Sequence, residues 1–235
     1  MRFTIISLFP KYFESPFSVS MIKRAREKKL IEIDLVDIRD FGEGTYKQVD
    51  DRVYGGGPGM VLMALPVLKA IRSAKRPTSR VIYLSPQGSR LTAKRCEALA
   101  CEESHLVLLC GHYEGIDERV LEIAVDEEIS IGDYVLTSGA PAATVLVDAI
   151  SRFIPGVIGN EEAPQRDSFS DGVFDAPVYT RPSEVEGREV PAVLRCGHHG
   201  AIAHWRREKA LKKTSQVRPD LVEELENFER KEIES

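Results

Sequence analysis

Four glycine-bearing segments carry most of the chemical signal in this chain: YGGGPG (54–59), SPQG (85–88), CGHYEGID (110–117) and SIGDYVLTSG (130–139). The last three follow or contain short apolar runs at 81–84, 106–110 and 129–136, each with the composition of a buried strand. Glycine has no side chain, so such turns let backbone amides and carbonyls approach one ligand closely. In an α/β sheet, ligands gather beyond the carboxyl ends of strands. Each segment could equally be a tight turn and nothing more. Neither GxGxxG after a strand nor GxxxxGKS/T occurs, which counts against a nucleotide-dependent dehydrogenase. Two charged residues stand out by position. Arg152 ends an apolar helical stretch, and Asp167 lies in the polar run NEEAPQRDSFSDG (160–172). Asp148 precedes Arg152 by four residues, the spacing of a surface ion pair, and a linker carboxylate is ordinarily just solvated.

The net charge of −5 conceals an asymmetry. Between 195 and 218 lie seven basic residues (Arg195, Arg206, Arg207, Lys209, Lys212, Lys213 and Arg218) and one acid, Glu208. From Asp220 onward there are seven acids against Arg230 and Lys231. The basic stretch reads either as a phosphate footprint or as a solvated helix face. Trp205 within it could stack on a base or anchor its helix. The four cysteines, Cys96, Cys101, Cys110 and Cys196, form no CxxC pair. They read as free buried thiols of a protein in a reducing cytoplasm. Cys196, His198, His199 and His204 match no standard zinc spacing, so no metal site is expected there. No apolar run approaches the ~20 residues of a membrane span. Residues 1–10 read as a first strand rather than a signal peptide.

These groups need a scaffold. A chain of 235 residues, 43% hydrophobic and 29% charged, suits a globular protein of one or two domains. Periodicity predicts strands at 2–8, 31–38, 81–84, 106–110 and 129–136. It predicts helices at 16–29, at 64–74 with Pro66 disturbing the start, at 92–100, at 118–124 and at 142–153. The last would bury Val145, Leu146, Ala149, Ile150 and Phe153. This alternation implies an α/β fold with a mainly parallel sheet and helices covering it. Composition then shifts, and two further helices are expected at 201–213 and 219–231. The organisation expected is a first domain over 1–159, a flexible linker over 160–173 and a small, mostly helical domain over 174–235.

The motifs DDRVYGGGPGM (50–60), VIYLSPQG (81–88), CGHYEGIDERV (110–120), IGDYVL (131–136), SRFIPGV (151–157), DSF (167–169) and RPD (218–220) occur in one order. Together they closely resemble the bacterial tRNA (guanine-N1)-methyltransferases of the TrmD type, in the SPOUT superfamily. The resemblance implies a sheet tied in a deep trefoil knot and a homodimer with its active site between subunits. It implies methyl transfer from S-adenosylmethionine to N1 of the guanosine at tRNA position 37, beside the anticodon, in the cytoplasm. By the same resemblance Asp167 is the general base that removes the N1 proton, and Arg152 steadies the developing charge or orients the methyl donor. The donor would be held by Tyr83, Leu84, Ser85, Pro86, Gly111, Tyr113, Glu114, Ser130, Ile131, Gly132, Asp133, Tyr134, Val135 and Leu136. The tRNA would be gripped by Arg195, Arg206, Arg207, Lys209, Lys212 and Lys213. A Mg²⁺ requirement also comes with the family, although no residue cluster here looks like a protein-built site. The chain departs from the pattern at His112, where the family usually has arginine, and at TSGAPAA (137–143), where it typically shows SGGELPA. That altered loop leaves open an alternative, a non-catalytic RNA-binding module on a decayed methyltransferase fold.

Overall fold

The computed structural model describes residues 1–160, 164, 167–223 and 225, and it divides between Glu161 and Glu162 into two compact units. The first unit is built on a parallel sheet of β1 (Arg2–Ser7), β2 (Glu32–Asp37), β5 (Ser79–Arg90), β6 (His105–Cys110) and β7 (Glu127–Ser130) in the order β2-β1-β6-β5-β7. A separate antiparallel pair, β3 (Asp50–Arg52) and β4 (Met60–Leu62), carries the YGGGPG turn at its tip. The helices are α1 (Ser20–Glu27), α2 (Ala64–Ala74), α3 (Ala93–Glu102), α4 (Glu118–Ala124) and α5 (Ala140–Ser151).

Strand alternation decides how the layers form. Ile82, Leu84, Leu106 and Leu108 join one core with α1, α3 and α5, while Val81, Tyr83, Val107 and Leu109 join a second core with α2 and α4. Successive side chains of a strand point to opposite faces. Both faces of β6 are covered, so every residue of it is buried and it reads as a continuous apolar run. The sheet therefore has helices on both faces.

Several boundaries differ from expectation, each for a local reason. The helix expected from 16 begins only at Ser20, because Val19 is extended (φ −132°, ψ 163°). Pro66 does not disturb α2. It occupies the third helical position, where the backbone N–H would have no intrahelical acceptor. β5 runs past Leu84 to Arg90, and both Leu84 and Ser89 pair with Ile129, so SPQG bulges out of a strand rather than ending one. β7 stops at Ser130 instead of reaching Leu136. The Ser130 hydroxyl accepts from the Gly132 N–H (3.2 Å) and donates to the Gly132 carbonyl (3.1 Å), which turns the chain out of the ladder. In α5 the buried face is Ala143, Leu146, Val147 and Ile150; Val145 is exposed, and Phe153 lies beyond the helix end. Of the cysteines, Cys96 and Cys110 are buried, but Cys101 and Cys196 are exposed.

The second unit holds a short hairpin, β8 (Glu184–Val185) with β9 (Arg188–Glu189), then α6 (Ala192–Arg195) and the long α7 (His199–Val217). Residues 219–223 are helical, and the rest of the expected terminal helix lies outside the described residues. Within the expected linker, 167–173 forms a closed turn. Ser170 N–H donates to Asp167 O (3.2 Å), and Phe169 N–H donates to Val173 O (2.8 Å). The turn is tied to α7 by Thr214, which is 0% exposed. Its hydroxyl donates to Ala210 O (2.8 Å) and accepts from Phe174 N–H (2.9 Å). Thr214→Val would keep the shape and strand that amide, at a cost of about 1–3 kcal/mol. The expected outcome is a matching loss in stability with faster hydrogen exchange at Phe174; unchanged exchange there would show that Thr214 is not the tether.

Candidate active site

The end of β6, the Leu84–Ser89 bulge of β5 and the end of β7 lie side by side, and the N-terminus of α5 closes over them. The resulting cleft is lined by all of the residues expected at the donor except Asp133. It is also lined by His112, Gly115, Ile129, Thr137, Ser138, Gly139 and Ala142, which sequence reasoning did not single out as donor contacts. A signal for Gly139 was present, since it closes the SIGDYVLTSG segment.

The floor of the cleft is mostly backbone. Gly139 N–H donates to Gly111 O (2.9 Å), joining the third loop to the second. A methyl group on Gly139 would stand 2.9 Å from Cys110 Cα and 3.0 Å from Gly111 N. One on Gly111 would stand 2.9 Å from the Tyr83 hydroxyl. The rim is self-bonded as well. Gln87 N–H donates to Ser85 Oγ (3.1 Å), and the Tyr134 hydroxyl donates to Ile131 O (3.2 Å). Glu114 N–H donates to Met60 O (3.0 Å), and the Glu114 side chain lies against Gly59, which brings the YGGGPG turn beside the cleft.

Few of these side chains are chemically reactive. Burial, then the Glu128 and Glu118 carboxylates, push the Tyr83 phenol up to about 12, so it stays neutral. Burial alone pushes the Cys110 thiol far up, and the thiolate is the nucleophilic form, so Cys110 is inert despite its position. The Tyr113 phenol is raised by burial first and by the nearby Asp50 second. His112 sits edge-on between Phe9 (5.1 Å) and Tyr113 (4.6 Å), and its Nδ1 is buried with no hydrogen-bond partner among the described residues.

Arg152 is elsewhere. It is the C-cap of α5 and lines a separate cavity with Asp148 and the start of α1. Gly139 is the N-cap of the same helix, thirteen residues earlier. At 1.5 Å per residue the two are roughly 20 Å apart within one chain. Asp167 belongs to the second unit, in the turn described above. On α7, Arg206, Arg207, Lys212 and Lys213 are exposed, and Lys209 lies 5.9 Å from the Trp205 ring. Trp205 packs 6.3 Å from Tyr179, as an anchor would. Arg195 pairs with Glu189 (3.1 Å) and Arg207 with Asp171 (3.5 Å). Among the described residues no three or more of His, Cys, Asp and Glu gather to hold a metal ion. Nor is any described helix long and apolar enough to cross a membrane.

Fold and site together define an α/β protein with a cleft at one edge of a parallel sheet, floored largely by backbone. The comparisons specify which kind. Residues 1–224 match the family model described as tRNA (Guanine-1)-methyltransferase TrmD, and the chain belongs to that family of methyltransferases. The tRNA (guanine-N(1)-)-methyltransferase of Protochlamydia amoebophila is 60% identical over 218 residues, covering 93% of this chain and 98% of its own length. Proteins of the same name from Chlamydia pneumoniae and Chlamydia abortus are 57% and 58% identical over 221 residues, 94% of this chain. The chain spans 61% and 62% of those two proteins.

Without β-carbons, Gly111 and Gly139 let the second and third loops close against β6 and Tyr83 at the floor of the cleft. Gly139→Ala drives a methyl against immovable backbone, whereas Gly111→Ala meets the end of a side chain. Overpacking of this kind costs ~1–3 kcal/mol. The expected outcome by calorimetry is weaker donor binding in both, with the larger loss for Gly139→Ala. Equal, wild-type affinities would place the donor elsewhere.

Proposed function

We propose that this chain transfers a methyl group from S-adenosylmethionine to N1 of the guanosine at position 37 of tRNA. The observation that carries the proposal is a family match over residues 1–224, a stretch that includes the backbone-floored cleft. Bound S-adenosylmethionine supplies a methyl carbon on a sulfonium, which departs as a neutral thioether. Tyr83, Ser85, Gly111, the 130–136 loop and Gly139 would hold it, with the Glu114 carboxylate near the positive sulfur. Guanine N1 carries a proton, so its electron pair is not free until a base removes that proton. The Asp167 carboxylate takes it, the N1 pair forms the new bond to carbon, and charge passing toward O6 is met by the Arg152 guanidinium.

Arg152 cannot serve the cleft of its own chain across the length of α5. We therefore read the enzyme as a homodimer in which the carboxyl end of one α5 meets the donor cleft of the other subunit. The bond between Gly139 and Gly111 carries the chain from β7 back past β5 to the end of β6, which supports the trefoil threading of the family. In this reading the first unit binds the donor, the segment around Asp167 folds onto the substrate, and the exposed basic side chains of α7 contact tRNA phosphates in the cytoplasm. A non-catalytic RNA-binding module is not favoured, because the altered 137–143 loop keeps Gly139 and its contacts.

Purified protein incubated with labelled S-adenosylmethionine and unmodified tRNA should yield 1-methylguanosine on nucleoside mass spectrometry. Asp167→Asn should lower kcat about 10²–10⁴-fold while leaving donor affinity in place. Near-full turnover by a folded Asp167→Asn protein would remove the general-base assignment.

A further inference from the structure

The cavity that Arg152 lines holds two features with no role so far. One is the N-terminus of α1. Val19 at its N-cap offers no side-chain acceptor, and Ser20, Met21 and Ile22 line the cavity. First-turn amides have no acceptor within their own helix, and the helix dipole adds partial positive charge there. The other is Ser151. It is 1% exposed, lines the same cavity, and its hydroxyl has no hydrogen-bond partner among the described residues. A buried hydroxyl without a partner is costly, and a ligand oxygen would recover that cost. Asp148 also lines the cavity, four residues before Arg152, where two side chains share a helix face. Amide donors, a hydroxyl and a guanidinium converging on one space suit a tetrahedral oxyanion.

We propose that this cavity is a subsite for one backbone phosphate of the RNA substrate, next to the reacting guanosine. The inference rests on the methyltransferase reading, in which Arg152 stands beside the target base. A phosphate fixed by the α1 amides and the Ser151 hydroxyl would set the position of its nucleotide, so Ser151 is a positioning residue, and the Ser20 side chain only borders the site. The source of the oxyanion is the RNA chain rather than free phosphate, because Arg152 then serves base and backbone of neighbouring groups at once.

The test uses the full chain. Ser20→Asp places a carboxylate at the mouth of the α1 amides, and aspartate tolerates the left-handed backbone found there (φ 54°). The expected result is a KM for tRNA raised about tenfold and a salt slope shallower by about 0.7, the share of one single-strand phosphate. Donor affinity stays at the wild-type value. Ser20→Asn, without the charge, should behave close to wild type, and Ser151→Ala should fall between. A single uncharged methylphosphonate in the anticodon loop should weaken binding to wild type but not to Ser20→Asp. The inference is overturned if Ser20→Asp keeps the wild-type KM and slope, or if both proteins lose equally to the methylphosphonate. It is also overturned if inorganic phosphate protects wild type but not Ser20→Asp against heat while KM is unchanged, which would make free phosphate the ligand. A wild-type protein that forms no 1-methylguanosine fails the underlying reading instead, and the two failures are distinct.

Discussion

The length of one buried helix governs the rest of this structure. α5 lies on the sheet through Ala143, Leu146, Val147 and Ile150, all essentially without solvent exposure. It cannot slide or tilt without opening the larger core. Its first residues close the donor cleft and its last carry Ser151 and Arg152. A helix of this length is a rigid spacer of roughly 18 Å. The two halves of the proposed chemistry are therefore held apart within a chain, and in the homodimer proposed above a second copy brings them together. Packing, not any special feature of the charged groups, sets that separation.

The cleft itself works by what is left out. Gly111 and Gly139 lack side chains where the loops touch, so carbonyl and amide edges form the surface. The groups that might react are kept quiet. Tyr83 remains neutral to about 12, and burial keeps Cys110 as a thiol. In the reading proposed, such a site would hold a reactive donor without competing with the substrate for its methyl group. The reactive groups proposed, Arg152 and Asp167, both lie outside it.

Much of this was legible in the residues. The runs at 106–110 and 81–84 are apolar at every position, as strands buried on both faces must be. Three of the four glycine-bearing segments contribute to the cleft lining. What could not be read depended on single contacts. The Ser130 hydroxyl ends β7 six residues before its apolar run does. Val145 reads as core by spacing, yet the helix is turned so that Ala143 and Val147 face the sheet instead. Pro66 reads as a disturbance near the start of its helix, yet at the third helical position its missing N–H costs no intrahelical bond. Asp167 and Arg152 were indistinguishable from solvated charges by chemistry alone, and only the family resemblance raised them. Thr214 and Ser151, both buried hydroxyls, gave no signal at all, because a hydroxyl is informative only once its neighbours are known.

The shared site can be tested by complementation. Arg152→Ala removes the cation and leaves the cleft, while Gly139→Val wedges a side chain against the Cys110–Gly111 backbone, deforming the cleft floor and leaving the cation. In a mixed dimer, isolated through a different tag on each chain, one composite site is whole and the other carries both lesions. Turnover restored to about half that of the wild-type dimer, from two parents that are each inactive, is the result expected of a site shared across a two-fold interface. A purified mixed dimer as inactive as its parents would contradict it, and would place Arg152 and the donor cleft in service of the same chain or of no common reaction.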